Sequence, residues 1–129
     1  MAESNAVLDA SAVLAVLNGE AGADVVLPFL ARGLISSVNY AETVAKLIDL
    51  GAVPEHARSA VSALGIGVAD FNRQLADRTA ELRPLTRHRG LSLGDRACIA
   101  LGEREAAPIV TMDRNWRGIL PGLDIRVGR

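Results

Sequence analysis

The sequence is short of cysteine, aromatic residues and lysine, and each shortage removes a class of protein. Cys98 is the only cysteine, so no intramolecular disulfide can form. No Cys/His set has the spacing of zinc ligands. Cys98 lies in Ala97-Cys98-Ile99-Ala100-Leu101, a context that reads as a buried helix rather than a reactive thiol. With 1 Trp, 1 Tyr and 2 Phe, the core has to be built from Leu, Val, Ile and Ala. No run is apolar and long enough to span a bilayer. Residues 6–17 are apolar, but they lack a basic lead and Asp9 interrupts them. They are therefore not read as a secretion signal, and the chain reads as cytoplasmic.

What is present is apolar aliphatic: half of the 129 residues are hydrophobic, enough for one domain with a real core. The formal net charge is −1, so there is no global attraction to nucleic acid. The distribution says more. Lys46 is the single lysine, and Arg73, Arg78, Arg83, Arg87, Arg89 and Arg96 fall in one stretch with His88. Arginine suits bidentate phosphate contacts. The plainer reading of this stretch is a solvated face paired with Asp70, Asp77 and Glu81.

Short apolar runs alternate with helical periods, the pattern of an α/β domain with a parallel sheet between helical layers. Strands are expected at 6–8, 34–35, 65–68 (the weakest), 108–111 and, as an edge strand, 125–127. Helices are expected at 11–17, at 21–31 bent near Pro28, at 38–50 after a cap at Ser36 or Ser37, at 54–64, at 70–82 and from Ser92 to about Glu105. Residues 84–90 read as a basic loop. In the helix at 38–50, Val38, Ala41, Ala45 and Ile48 form the apolar stripe. The chain's last segment runs from Leu120 to its final residue, Arg129.

Four acids stand near the starts of helices. Each has an ordinary explanation: Asp9 as an N-cap, Asp95 as half of a capping box with Ser92, Asp113 as a turn residue, Glu42 as a partly exposed helix glutamate. Taken together they point elsewhere. Ligand sites in open α/β sheets lie at the carboxyl ends of the strands, and all four acids can face that edge. Ionised carboxylates roughly 5 Å apart repel by about 3 kcal/mol per pair at an effective dielectric of about 20. A domain of this size has only ~5–15 kcal/mol of net stability. Such a cluster needs raised pKa values or a bound cation, and oxygen-only ligands favour Mg²⁺ or Mn²⁺.

Three other chemistries are weighed against this. Gly90-Leu91-Ser92-Leu93-Gly94 matches the G-x-S-x-G hydrolase pattern. However, Thr86-Arg87-His88-Arg89 cannot be the buried strand it requires, and both histidines precede the serine. An aspartyl-phosphate enzyme needs a second aspartate two residues after the first, where this chain has Ser11. No P-loop is present.

Val7-Leu8-Asp9-Ala10-Ser11-Ala12, Ser36-Ser37-Val38-Asn39-Tyr40-Ala41-Glu42, Leu91-Ser92-Leu93-Gly94-Asp95-Arg96-Ala97-Cys98 and Val110-Thr111-Met112-Asp113-Arg114-Asn115-Trp116 together resemble the motif blocks of PIN-domain nucleases. Among these the blocks are most similar to the VapC-type toxins of type II toxin–antitoxin pairs. The resemblance covers essentially the whole chain as a single domain and implies a three-layer α/β/α fold around a mainly parallel sheet of four to five strands. It implies an endoribonuclease in which Asp9, Glu42, Asp95 and Asp113 hold one or two Mg²⁺ or Mn²⁺ ions, with Ser11 and Thr111 orienting the acids. In-line attack by a metal-activated water would leave a 5′-phosphate and a 3′-hydroxyl. The resemblance further implies a homodimer and a cognate antitoxin, with no membrane partner. The apolar residues Val25, Val26, Leu27, Phe29 and Leu30 are candidates for an interface or for core. Arg87, Arg89 and Arg96 are the expected RNA contacts. Trp116 is read as a packing residue ahead of a base-stacking one. Asn115 stands where some members of the family carry a further acid. The competing reading is a catalytically silent PIN-like module that binds RNA or protein.

Overall fold

The computed structural model describes residues 6–128; Arg129, the last residue of the closing segment, lies outside them. Five strands, β1 (Ala6–Leu8), β2 (Gly33–Ser36), β3 (Gly67–Ala69), β4 (Ile109–Thr111) and β5 (Ile125–Val127), form one sheet in the order β3-β2-β1-β4-β5. Every pairing is parallel. The expected three-layer α/β/α architecture is therefore the observed one. β1 is central and buried on both faces. Val7 packs with Leu82, Leu91, Ile99, Leu101, Ile109 and Trp116 on one side. Ala6 and Leu8 pack with Ala12, Val13, Val26, Ile35 and Val110 on the other. This alternation explains why the strand reads as an unbroken apolar run.

The strand order reverses beside β1: β2 lies on one side and β4, reached much later in the chain, on the other. Such a switch point opens a crevice at the carboxyl ends of the two strands. Leu8 is registered with Val110, so the next residues, Asp9 and Thr111, emerge side by side at that crevice.

Among the described residues, six α-helices cover the sheet: α1 (Ala10–Leu17), α2 (Ala23–Val26), α3 (Ser37–Asp49), α4 (Pro54–Ser62), α5 (Arg73–Thr86) and α6 (Leu93–Glu105). Most match the sequence reading to within a few residues, and the differences have physical causes. The helix expected at 21–31 is only α2 followed by a 3-10 turn, Leu27–Phe29. Pro28 lacks the N–H that would continue the α-helical ladder. The end of α5 reaches Thr86, past the expected stop at Leu82 and through Pro84. Leu82 and Thr86 are both buried, and the Thr86 hydroxyl donates to the Leu82 carbonyl at 2.8 Å, so packing holds the extra turn. The supposed basic loop is thus helix followed by a 3-10 turn, Arg87–Arg89. Finally, α3 turns its expected apolar stripe outward: Ala41, Ala45 and Ile48 are exposed, while Asn39 and Thr43 are buried. The inward face is instead Asn39 and Thr43 with the half-buried Tyr40, Val44 and Leu47, and Tyr40 packs on the apolar cluster around Leu8, so the stripe is rotated about the helix axis.

Candidate metal centre

Asp9 follows β1 and caps α1, its Oδ1 accepting from the Ala12 N–H at 2.9 Å. Ser11 Oγ donates to the same oxygen at 2.7 Å and accepts from the Met112 N–H at 2.9 Å. Thr111 Oγ1 donates to Asp9 Oδ2 at 2.6 Å and accepts from the Asp113 N–H at 3.1 Å. Two relays thus run from the backbone beyond β4, through a hydroxyl, onto the two oxygens of Asp9. With two lone pairs on each oxygen, Oδ1 is filled and Oδ2 keeps one vacancy. The carboxyl is 5% exposed, and burial pushes its pKa from 3.8 up to about 6; the bonds from Thr111, Ser11 and Ala12 pull it down, and the Asp95 charge adds to the rise.

The other acids arrive from three further segments. Glu42 projects from α3 and accepts from Asn39 Nδ2 at 2.8 Å. Asp95 opens α6 in a complete capping box: Ser92 Oγ accepts from the Asp95 N–H, and Asp95 Oδ2 accepts from the Ser92 N–H. Asp113 caps the 3-10 turn Arg114–Trp116 through the Asn115 N–H. Asp9, Ser11, Asn39, Glu42, Asp95 and Asp113 line one cavity of about 210 Å³. Its lining contains no basic side chain, and none of the four acids forms an ion pair among the described residues. A wider groove of about 540 Å³, with Leu14, Glu20, Met112 and Arg114 in its walls, shares Ser11 and Asp113 with it.

This donor set fits a hard divalent cation. It is all oxygen, it is acceptor-rich, and Asp9 Oδ2 has capacity to spare. Among the described residues no three Asp, Glu, His or Cys side chains form a ready ligand cage. An ion here would fill the rest of its shell with water, which Mg²⁺ prefers.

The family model of the PIN domain matches residues 6–119. The chain belongs to the PIN-domain family. Among solved structures, this PIN domain resembles a chain of a toxin–antitoxin complex from Klebsiella pneumoniae, at 18% identity and a TM-score of 0.78, covering 96% of this chain and 98% of that one. DNA-bound VapBC from Salmonella typhimurium matches at 20% identity and a TM-score of 0.74 over 100% of both chains. VapC20 of Mycobacterium tuberculosis, a sarcin–ricin-loop-cleaving toxin, matches at 17% identity and a TM-score of 0.71, covering 87% of this chain and 92% of that one. A search of curated proteins finds no match.

The remaining residues singled out from the sequence of this PIN domain fall into two groups. Arg89 Nη1 donates to the carbonyls of Asn115 and Arg117 at 2.7 and 2.8 Å, and Asn115 Nδ2 returns a bond to the Arg89 carbonyl at 2.7 Å. That reciprocal clamp ties the Arg87–Arg89 turn to the segment just after Asp113. Arg96 Nη1 donates to the Thr79 carbonyl at 2.9 Å, joining α6 to α5. Arg87 is exposed and has no side-chain partner among the described residues. Trp116 is fully buried in the α5–α6 side of the core, which settles its role as packing. The Cys98 thiol is buried, and both burial and the charges of Asp9, Asp95 and Glu42 raise its pKa, so it is no nucleophile.

Two site residues escaped the sequence reading of individual roles, Asn39 and Gly94. Asn39 lies three residues before Glu42, hence on the same helical face. Gly94 is a helical glycine: a Cβ there would meet Glu42 Oε2 at 2.5 Å and Oε1 at 2.6 Å. A glycine inside the first turn of a helix, where propensity disfavours it, was the available signal.

Proposed function

We propose that this PIN domain is an Mg²⁺- or Mn²⁺-dependent endoribonuclease and the toxin of a toxin–antitoxin pair. The observation that carries this reading is the convergence of four carboxylates from four separate segments on one cavity without a cationic side chain. A divalent ion held by Asp9, Glu42, Asp95 and Asp113 would neutralise phosphate charge and lower the pKa of a water, so that it could lose a proton and act as the nucleophile. The chain's own residues do the placing. Ser11 and Thr111 fix both oxygens of Asp9, so its free lone pair has one direction. The capping bonds of Asp95 and Asp113 each occupy one carboxylate oxygen and leave the other for the cavity. Glu42 faces these three from α3 and is the residue placed to orient a water. The adjoining groove gives a strand of RNA room to continue past the site, with Arg114 on its wall. Arg87, exposed and unpaired, is placed to meet phosphate, and Arg89 holds the turn that presents it.

A cognate antitoxin and a homodimer belong to the same proposal. The structures from Klebsiella pneumoniae and Salmonella typhimurium that this fold resembles are toxin–antitoxin assemblies. Here Val25 and Leu27 are exposed on the early helices, as are Ile48 and Leu50 at the end of α3, apolar surface suited to partners. Among the described residues no helix is long and apolar enough to cross a membrane.

The test is direct. Purified protein with RNA and Mg²⁺ or Mn²⁺ should yield fragments ending in 5′-phosphate and 3′-hydroxyl, and EDTA should stop the reaction. Asp9→Asn, Glu42→Gln, Asp95→Asn and Asp113→Asn should each abolish cleavage with the fold retained. Cleavage that persists in EDTA, or in the Asp9→Asn protein, refutes the assignment. RNA bound but never cut, in either metal, would instead mark a silent binding module.

A further inference from the structure

Glu42 stands on a solvent-exposed part of α3, yet its carboxylate is not free to swing. Asn39, one turn earlier, donates from Nδ2 to Glu42 Oε1 at 2.8 Å and to the Gly94 carbonyl at 3.0 Å. Both partners are acceptors only, which fixes the amide: the nitrogen must face them and Oδ1 must face away. The same side chain therefore locks α3 to the first turn of α6 and pins Glu42 against Gly94, where only a glycine leaves room for the carboxylate.

Asn39 is 1% exposed, it lines the acidic cavity, and its Oδ1 has no hydrogen-bond partner. An unpaired buried acceptor is costly, and native structures rarely keep one without a reason. Its neighbour on the inward face of α3 is satisfied: Thr43 Oγ1 donates to the Asn39 carbonyl at 2.7 Å. The orientation that leaves Oδ1 unpaired is the one that lets Nδ2 reach both Glu42 and Gly94, so the side chain keeps its two donor bonds at that cost.

We propose that Asn39 is a positioning residue of the metal centre: its amide nitrogen holds the Glu42 carboxylate in place over Gly94, at the cavity the four acids line. This rests on the reading of the cavity as a divalent-ion site. Partners of this kind, which orient ligands without touching the metal, are commonly worth 10- to 100-fold in affinity.

The experiment is a double-mutant cycle on Mn²⁺ affinity, measured by calorimetry and by the Mn²⁺-induced rise in melting temperature, for the wild type, Asn39→Ala, Glu42→Ala and the double variant. Asn39→Ala should weaken Mn²⁺ about tenfold. It should cost distinctly less once Glu42 is absent, because its effect runs through that carboxylate. Cleavage of RNA should fall in kcat with KM unchanged. A wild type that binds Mn²⁺ beside an Asn39→Ala protein that binds it equally well overturns the proposal. So does an equal loss in both Glu42 backgrounds. A wild type that binds no Mn²⁺ overturns the ion-site reading itself, and this proposal with it. Should Asn39→Ala fail to fold, Mg²⁺ titration of the ¹⁵N-labelled wild type decides: the Asn39 side-chain amide signals should shift with saturation, and signals unmoved while ion binding is detected calorimetrically refute the role.

Discussion

Removing the charge of Asp9 should stabilise the metal-free protein, and only above mildly acidic pH. In the folded state burial holds this carboxyl near a pKa of about 6, against 3.8 when freely solvated. That gap corresponds to ~3 kcal/mol once both states are ionised. Below pH 3.8 the folded and unfolded chains both carry the proton, and Asp9 costs nothing. Between 3.8 and about 6 the unfolded chain releases its proton first, so stability falls as pH rises; above about 6 the full penalty is in place. In Asp9→Asn the remaining carbonyl oxygen can still accept from Ala12 and Ser11, and the new amide can donate to Thr111 Oγ1, which reverses its role. The assay is thermal unfolding in EDTA from pH 4 to pH 8, followed by Mn²⁺ addition at pH 7.5. The two proteins should melt together near pH 4 and diverge as pH rises, until the variant is higher by up to ~10 °C, about what ~3 kcal/mol means for a chain of this size. Mn²⁺ at about 100 times its dissociation constant should return ~2.7 kcal/mol to the wild type and nothing comparable to the variant. An Asp9→Asn protein that melts below the wild type in EDTA at pH 7.5, or a difference that ignores pH, refutes this account of the site's electrostatics.

Gly94→Ala should separate stability from activity. Alanine gains ~1 kcal/mol of helix propensity over glycine, and the atoms its Cβ would meet are the movable tip of Glu42, so melting should hold or rise while RNA cleavage collapses. An unchanged cleavage rate counts against Glu42's seat. Trp116→Phe should lie within ~1 kcal/mol of wild type in urea unfolding, because the lost volume is offset by removing a buried, unpartnered Nε1–H; Trp116→Ala should cost ~3–5 kcal/mol. Arg87→Ala should weaken RNA binding and reduce the slope of affinity against salt by about one phosphate contact, without changing the melting temperature. Arg89→Ala should also lower the melting temperature, since it releases the clamp on the Asn115 and Arg117 carbonyls. A thermal scan of both variants separates the two roles.

The sheet and most of the helices were legible because their signals are local. Ala6-Val7-Leu8 and Ile109-Val110-Thr111 are buried on both faces, and Ser36, Ser92 and Asp9 cap the helices that follow them. The acids were legible as a set because strand ends and helix starts in a parallel sheet share one edge. What stayed hidden depends on tertiary contact. The outward turn of Ala41, Ala45 and Ile48 follows from what α3 packs against, which periodicity cannot report. Asn39 looked like one more polar helix residue; its importance lies in reaching Gly94, 55 positions later. The arginine-rich stretch also divides by partner, with Arg89 and Arg96 on backbone carbonyls and Arg78 on Glu103.

The capping roles of three of the acids and their convergence on one cavity are the same fact. Asp9 and Asp113 are N-caps, Asp95 is the N3 half of the capping box that Ser92 heads, and these bonds are what make the cluster tolerable. Each capping bond fixes one carboxylate oxygen and turns the other toward the cavity. The N-termini of α1 and α6 point their partial positive charge at the same place, which offsets part of the repulsion before any ion arrives. The compensation is incomplete at Asp9, whose pKa stays high despite three donors. That residue is also the most deeply buried of the four, and the one whose free lone pair has a single available direction. The fold has thus left its largest electrostatic debt at the position where a cation would relieve it most.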